Sequence, residues 1–261
     1  MGDKILQIAV IGDIHGCVKT LNILINKIYK KFHINELYYV GDLIDRGPSS
    51  KDVIDLLLGL NVSKVFMLGN HEDMMLDFLY NTKRYDDYLW LENGGIVTLQ
   101  SFMGADFSTN VSYYNLNVKN IRHYFDSYLD FFESFNEYSV VTLGNRKFLI
   151  SHCGIYDFDK PIDKQYEGLS DVYKLHKYPF LWARNCDFSK KRYYDYIIIH
   201  GHTPLCSLGL TDNVKIPYIN KNADEIISIN IDTGCVYGYT LSAIIIDSSG
   251  EFSFESIDYA D

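Results

Sequence analysis

The stretch KVFMLGNHED, Lys64 to Asp73, joins two kinds of chemistry. Val65 to Leu68 form a short apolar run of the kind that builds a buried strand. Gly69, Asn70, His71 and Glu72 follow at once, all poor strand formers and three of them able to bind metal or carry protons. The pattern recurs five times. IAVIGDIHG places Asp13 and His15 after Ile8–Ile11, and LYYVGDLIDRG places Asp42, Asp45 and Arg46 after Leu37–Val40. KFLISHCG gives His152, YIIIHGHTP gives His200 and His202, and ISINIDTG ends on Asp232. Near-continuous apolar runs of this length mark strands covered on both faces, as in α/β proteins.

Helical periodicity separates the early runs. Val18, Leu21, Leu24, Ile25, Ile28 and Phe32 share one face. Ser49 or Ser50 can cap a helix carrying Val53, Ile54, Leu57 and Leu58, and Met74, Met75, Phe78 and Leu79 suit a third. Strand, polar cluster and helix thus repeat in a βαβ rhythm. Open α/β sheets bind ligands at the carboxyl ends of their strands, so six clusters distant in sequence can meet in space. The rhythm breaks from Asn81 to Phe135, a Tyr- and Phe-rich stretch predicted helical over Val118–Phe135 and expected to be an accessory insertion, about 81–135, within one domain spanning 1–261. Asp157–Pro179 is predicted as a long loop near the site, and the segments around Ile226, Leu241–Ile246 and Phe252–Phe254 as further strands.

The 261 residues suffice for a sizeable core, and the net charge of −10 argues against nucleic acid or an anionic membrane as partner. Five scattered cysteines without a CxxC pair fit reduced thiols, and no run is long enough to span a bilayer, so a cytoplasmic location is expected.

Asp13, His15, Asp42, Asn70, His152 and His202 make a ligand set of carboxylate, imidazole and amide oxygen without thiolate, which suits Mn, Fe or Zn at a reactive site. The ordered series GDIHG, GDLIDRG, GNHE, SHCG and HGHTP, with WLENGG, FLWARN and IDTG, resembles the metallophosphoesterase superfamily, and within it the bacterial and phage branch of the phosphoprotein phosphatases. The resemblance spans residues 12 to 234. It implies two mixed β-sheets packed as a sandwich flanked by helices, with a dimetal site at the strand ends. It assigns Asp13, His15 and Asp42 to one metal and Asn70, His152 and His202 to the other, with Asp42 bridging and Mn the expected ion. A hydroxide shared by the metals would attack phosphorus in line.

The resemblance further implies that His71 is the general acid, held by Asp45, and that Arg46 and Arg184 bind phosphate. Arg184 rests on Trp182-Ala-Arg-Asn alone. His200 is given a structural role beside the ligands. Asp232 either orients a ligand histidine or simply closes a turn, and Glu72 is either a helix N-terminal carboxylate or catalytic. The leading expectation is a serine/threonine phosphatase acting on phosphorylated proteins or peptides. The alternative is a dinucleoside polyphosphate hydrolase; relatives of that kind often lack the aspartate before the motif arginine and end the third motif in Asp. Asp45 and Glu72 therefore favour the phosphatase. A phosphodiesterase is disfavoured by Pro204, which stands where such enzymes often carry a further His, and a dead scaffold by the intact ligand set.

Overall fold

The computed structural model describes residues 6–86, 88–107 and 118–261. The chain begins β1 (Gln7–Ile11), α1 (Val18–Lys31), β2 (Glu36–Tyr39), α2 (Ser50–Gly59), β3 (Ser63–Phe66) and α3 (Asn70–Tyr80). After α4 (Ile96–Met103), α5 (Val118–Arg122) and α6 (Leu129–Glu133) come β4 (Tyr138–Leu143) and β5 (Arg146–Ser151). The short helices α7 (Asp171–Leu175) and α8 (Tyr178–Leu181) precede β6 (Tyr196–His200) and α9 (Leu205–Leu208). The chain closes with β7 (Tyr218–Asn222), β8 (Glu225–Asn230), β9 (Thr240–Asp247) and β10 (Phe252–Asp258).

Two mixed five-stranded sheets result, ordered β10-β9-β1-β2-β3 and β4-β5-β6-β8-β7. In the first, β1, β2 and β3 are parallel and β9 runs antiparallel beside β1; in the second, β5, β6 and β8 are parallel. Side chains alternate between faces with period two, and each face has its own core. Ile8, Val10, Tyr38 and Val40 of the first sheet meet Phe148, Ile150, Ile197, Ile199 and Ile229 of the second between the layers. Ala9, Ile11, Leu37 and Tyr39 point outward onto α1–α4, while Leu149 and Ile198 pack beneath Phe180 and Tyr193. Double coverage explains why these strands read as unbroken apolar runs.

The expected helix over 118–135 is not continuous. Ile121, Phe125, Leu129 and Phe132 are buried at helical spacing, but a turn and a single 3₁₀ turn at Asp126–Tyr128 interrupt the hydrogen-bond ladder between α5 and α6. Residues 108–117 of that expected insertion, and residue 87, lie outside the described residues. The expected loop at 157–179 contains α7 and the start of α8. At the start of α1, Cys17 offers no side-chain cap, and the Asp261 carboxylate accepts instead from Lys19 N and Thr20 N at 2.9 and 3.0 Å. Among the described residues no helix is long and apolar enough to cross a membrane.

Candidate metal centre

Five strand ends deliver the site. Asp13 and His15 follow β1, Asp42, Asp45 and Arg46 follow β2, Asn70 and His71 open α3 after β3, His152 follows β5 and His202 follows β6. His15, Asp42, Asp45, Arg46 and His202 all have positive φ, half of the ten such non-glycine residues described. Each such residue costs about 1–3 kcal/mol of strain, so the surrounding fold must over-determine the cluster. Close backbone approach does part of this. A Cβ on Gly69 would sit 2.2 Å from Asp42 Oδ1, and one on Gly201 would sit 1.8 Å from Asp13 Oδ1.

Two compact groups share Asp42. His15, Asp42 and His71 form one, and Asp42, His152 and His202 the other, each with ligand-type atoms within 4.8 Å of one another. Asn70 Oδ1 joins the second group, 2.9 Å from both His152 Nε2 and His202 Nδ1. Asp13, which the sequence reading places with His15 and Asp42, lies outside the first group. Its Oδ2 accepts from His202 N at 3.0 Å, while its buried Oδ1 has no partner.

The donor chemistry calls for cations. Val40 O and Ile44 O can only accept, so His152 Nδ1 and His15 Nδ1, at 2.9 and 2.8 Å from them, carry the protons. The Nε2 atoms are then lone pairs aimed inward. His152 Nε2 faces the Asn70 Oδ1 acceptor at 2.9 Å and Asp42 Oδ1 at 3.4 Å, an arrangement without a shared proton. His202 Nε2 is buried and unpartnered. Burial pushes the pKa values of His15, His152 and His202 down, so the imidazoles stay in the neutral, ligating form. Burial, with Asp232 and Asp42 nearby, drives Asp13 well above the usual carboxylate range, the sign of uncompensated negative charge. Asp42 is shifted the other way: burial would raise its pKa, but the surrounding histidines, among which His71 has a raised pKa, outweigh that and lower it. The residues present therefore fit divalent cations.

His71 differs from the other three histidines. Burial lowers its pKa, but the Asp42 and Asp45 carboxylates outweigh that and leave it raised. Its Nδ1 lies 2.7 Å from Asp45 Oδ2. Asp45 is fixed in turn by Trp90 Nε1 at 2.9 Å and Thr98 Oγ1 at 2.6 Å. The sequence reading singled out the WLENGG stretch without giving Trp90 a task, and nothing in the sequence distinguishes Thr98. Arg46 spans the first group, its Nη1 and Nη2 each donating at 2.8 Å to His15 Nε2 and His71 Nε2. Arg184 is exposed and donates to Thr203 Oγ1 at 3.3 Å.

Glu72 is a clip rather than a reactive group. Its carboxylate accepts from Asp42 N, Leu43 N and Gly69 N at 2.9, 2.8 and 3.1 Å, tying the end of β2 to the start of α3. Burial and the nearby Asp42 charge push its pKa up to about 8. His200 is turned from the cluster: its Nε2 lies 3.5 Å from Asp187 Oδ1, and that carboxylate overrides burial to raise its pKa to about 9. Asp232 accepts from Gly234 N at 3.1 Å, the contact a turn after the strand calls for.

Two imidazole–oxygen clusters hinged on one carboxylate, at the strand ends of a two-sheet sandwich, define the class of metal-dependent phosphoesterases. The chain belongs to the calcineurin-like phosphoesterase family, whose sequence profile matches residues 6–224. Membership implies divalent metal ions at this cluster. The chain is 30% identical over 249 residues to the asymmetrical bis(5′-nucleosyl)-tetraphosphatase PrpE of Anoxybacillus flavithermus, covering 90% of this chain and 88% of that one. It is 27% identical over 258 residues to the enzyme of the same name from Oceanobacillus iheyensis, covering 91% and 88%. A solved structure described as a candidate diadenosine tetraphosphatase shares the fold at a TM-score of 0.56 and 20% identity, over 98% of this chain and 94% of that one.

These relatives overturn the expectation of a serine/threonine phosphatase acting on phosphoproteins, because full-length similarity runs to enzymes named for a dinucleotide substrate. The structure explains why Asp45 and Glu72 misled. Asp45 faces His71, Trp90 and Thr98, and Glu72 faces backbone N–H groups. Both are engaged by groups of the cluster and its backbone, so their presence alone does not distinguish between substrates.

Proposed function

We propose that this chain is a metal-dependent bis(5′-nucleosyl)-tetraphosphatase of the asymmetrical kind. The observation that carries the reading is similarity to such enzymes along nine-tenths of the chain, over a site in which every expected ligand type is present. Unequal cleavage of a four-phosphate bridge yields a nucleoside monophosphate and a nucleoside triphosphate. Asp13, His15 and Asp42 would hold one ion and Asn70, His152 and His202 the other, with Asp42 shared and Mn²⁺ the ion expected for an oxygen–imidazole set. When bound, such ions supply Lewis acidity to phosphoryl oxygens and acidify water.

The protein's own groups do the rest. The Arg46 guanidinium, now in contact with His15 and His71, would turn its two terminal nitrogens to a pair of phosphate oxygens of a strongly anionic bridge. Arg184 adds a second positive charge from the rim. His71, oriented by Asp45, would donate a proton from Nε2 to the oxygen that leaves once Arg46 Nη2 turns from that atom to phosphate. A departing polyphosphate oxygen has a pKa of about 6, so it needs that proton less than an alkoxide would. Charge complementarity is therefore the larger contribution. Protein reconstituted with Mn²⁺ is tested on bis(5′-adenosyl) tetraphosphate, with products separated by ion exchange. Equal amounts of AMP and ATP are expected; two ADP, or turnover of a phosphoserine peptide in preference, overturns the reading.

A further inference from the structure

Two cavities adjoin the cluster from different ends. One, of about 470 Å³, is lined by Arg46, Gly94 and Tyr237 and borders the His15–Asp42–His71 group through Arg46. The other, of about 280 Å³, is lined by Tyr85, Leu89, Tyr173, His176, Tyr178 and Trp182. It borders the Asp42–His152–His202 group, because the Trp182 ring centroid lies 6.3 Å from that of His202. Five of its six lining side chains are aromatic, and its size suits a single heterocycle.

The aromatic walls are preformed. Tyr85 and His176 stack at 4.3 Å, and Tyr173 and Tyr178 lie 4.5 Å apart. Trp182 Nε1 donates to Tyr85 OH at 3.1 Å, and Tyr85 OH donates to Asp73 Oδ2 at 2.8 Å. Asp73 stands in the first turn of α3, two residues after His71, so the cavity and the acid share one rigid frame. Rigid rings fixed before binding lose little entropy on stacking a base.

Position supplies a polarity. Arg46 stands against the His15–Asp42–His71 group, the one away from Trp182, and its positive charge suits the departing triphosphate. The nucleoside that stays attached to the attacked phosphorus then lies on the Trp182 side. Trp182 packs edge-on against His202, so a base in the cavity lies directly beside the cluster, and its own first phosphorus, the nearest along the chain, is the one that reaches it.

Resting on the function proposed above, we propose that the cavity of Tyr85, Tyr173, His176, Tyr178 and Trp182 holds the base of the nucleoside whose own first phosphorus is attacked, and that this placement is what makes cleavage asymmetrical. Water adds its oxygen to that phosphorus, and the bond to the bridging oxygen breaks. The bridging oxygen leaves with the nucleoside triphosphate, and the water oxygen remains in the monophosphate.

Calorimetric binding of AMP and of ribose 5-phosphate to Mn²⁺-loaded protein isolates the base. Stacking predicts AMP tighter by about tenfold or more. Trp182→Ala and, at the exposed rim, Tyr173→Ala should each pull that ratio toward one. Hydrolysis of bis(5′-adenosyl) tetraphosphate in ¹⁸O-water should place the label in AMP. Equal affinities in the wild type, a ratio that survives both substitutions, or label in ATP overturns the proposal. Absence of any tetraphosphate hydrolysis overturns the function reading instead, while the affinity ratio still decides whether the cavity takes a base.

Discussion

Replacing Glu72 by Gln keeps the shape of the clip and removes its charge. The carboxylate accepts from Asp42 N and Gly69 N through Oε2, and from Leu43 N through Oε1. A glutamine keeps one acceptor oxygen, and turning it toward Asp42 N and Gly69 N strands Leu43 N against a donor. A stranded buried donor costs about 1–3 kcal/mol, and two bonds that lose charge assistance cost roughly 1 kcal/mol each. In metal-free protein the raised pKa leaves Glu72 largely protonated near neutral pH, so Gln removes little charge there, whereas cations that neutralise Asp42 favour the carboxylate. We expect a loss of about 1 kcal/mol without metal and about 3 kcal/mol with Mn²⁺. By linkage the difference of about 2 kcal/mol is a roughly 30-fold weaker hold on metal, within the range seen for residues that orient ligands. Urea denaturation with and without Mn²⁺, beside calorimetric metal titration, measures all three quantities. Unfolding curves shifted equally in both states, with unchanged metal affinity, would refute the clip.

Other substitutions separate the remaining roles. His71→Asn should slow phenyl phosphate, whose leaving group has a pKa of about 10, by about 10²-fold or more, and a p-nitrophenyl ester or the tetraphosphate by much less; equal factors would remove the acid role. Asp42→Asn should abolish stoichiometric binding of both ions in elemental analysis, because the carboxylate belongs to both groups; retention of two per chain would refute the shared-ligand assignment. Glu255 is hydrogen-bonded by Lys27 and Lys31 at 2.9 and 2.7 Å, which outweighs burial and depresses its pKa. A depressed carboxyl adds stability above its unfolded pKa of about 4.5, and that stability is lost as pH falls through the folded value. With both lysines part-exposed, Glu255→Gln should lower stability by about 0.5–1 kcal/mol near neutrality, a gap that closes in acid; a gap constant with pH would contradict the pairing.

The strands and their polar ends were legible because burial on both faces writes an unbroken apolar run and a sharp turn writes a glycine. Other features carried no local signal. That β9 returns to lie antiparallel beside β1 is decided by packing across more than two hundred residues. The helix predicted over Val118–Phe135 is not continuous although Ile121, Phe125, Leu129 and Phe132 are buried at helical spacing, since two short turns can present the same four side chains. Six residues expected as ligands meet at the strand ends, with His71 beside His15 and Asp42, and with Asp13 held at the edge of that group by His202 N.

The substrate was misread for a related reason. Chemistry at phosphorus is set by short-range contacts among strand ends, and those residues sit in short motifs. Substrate choice is set farther out, by whatever meets the parts of the molecule that do not react. With the base site proposed above, those surfaces would come from Tyr85 and Leu89 before α4, from α7 and α8, and from Gly94 and Tyr237, none of which belongs to a strand end. A motif reading thus identifies the bond that is broken while leaving open the molecule that carries it. A protein phosphatase and a dinucleotide hydrolase built on one cluster should differ most in these rims. Exchanging the rim segments, rather than the ligands, is the change that should move specificity from one to the other.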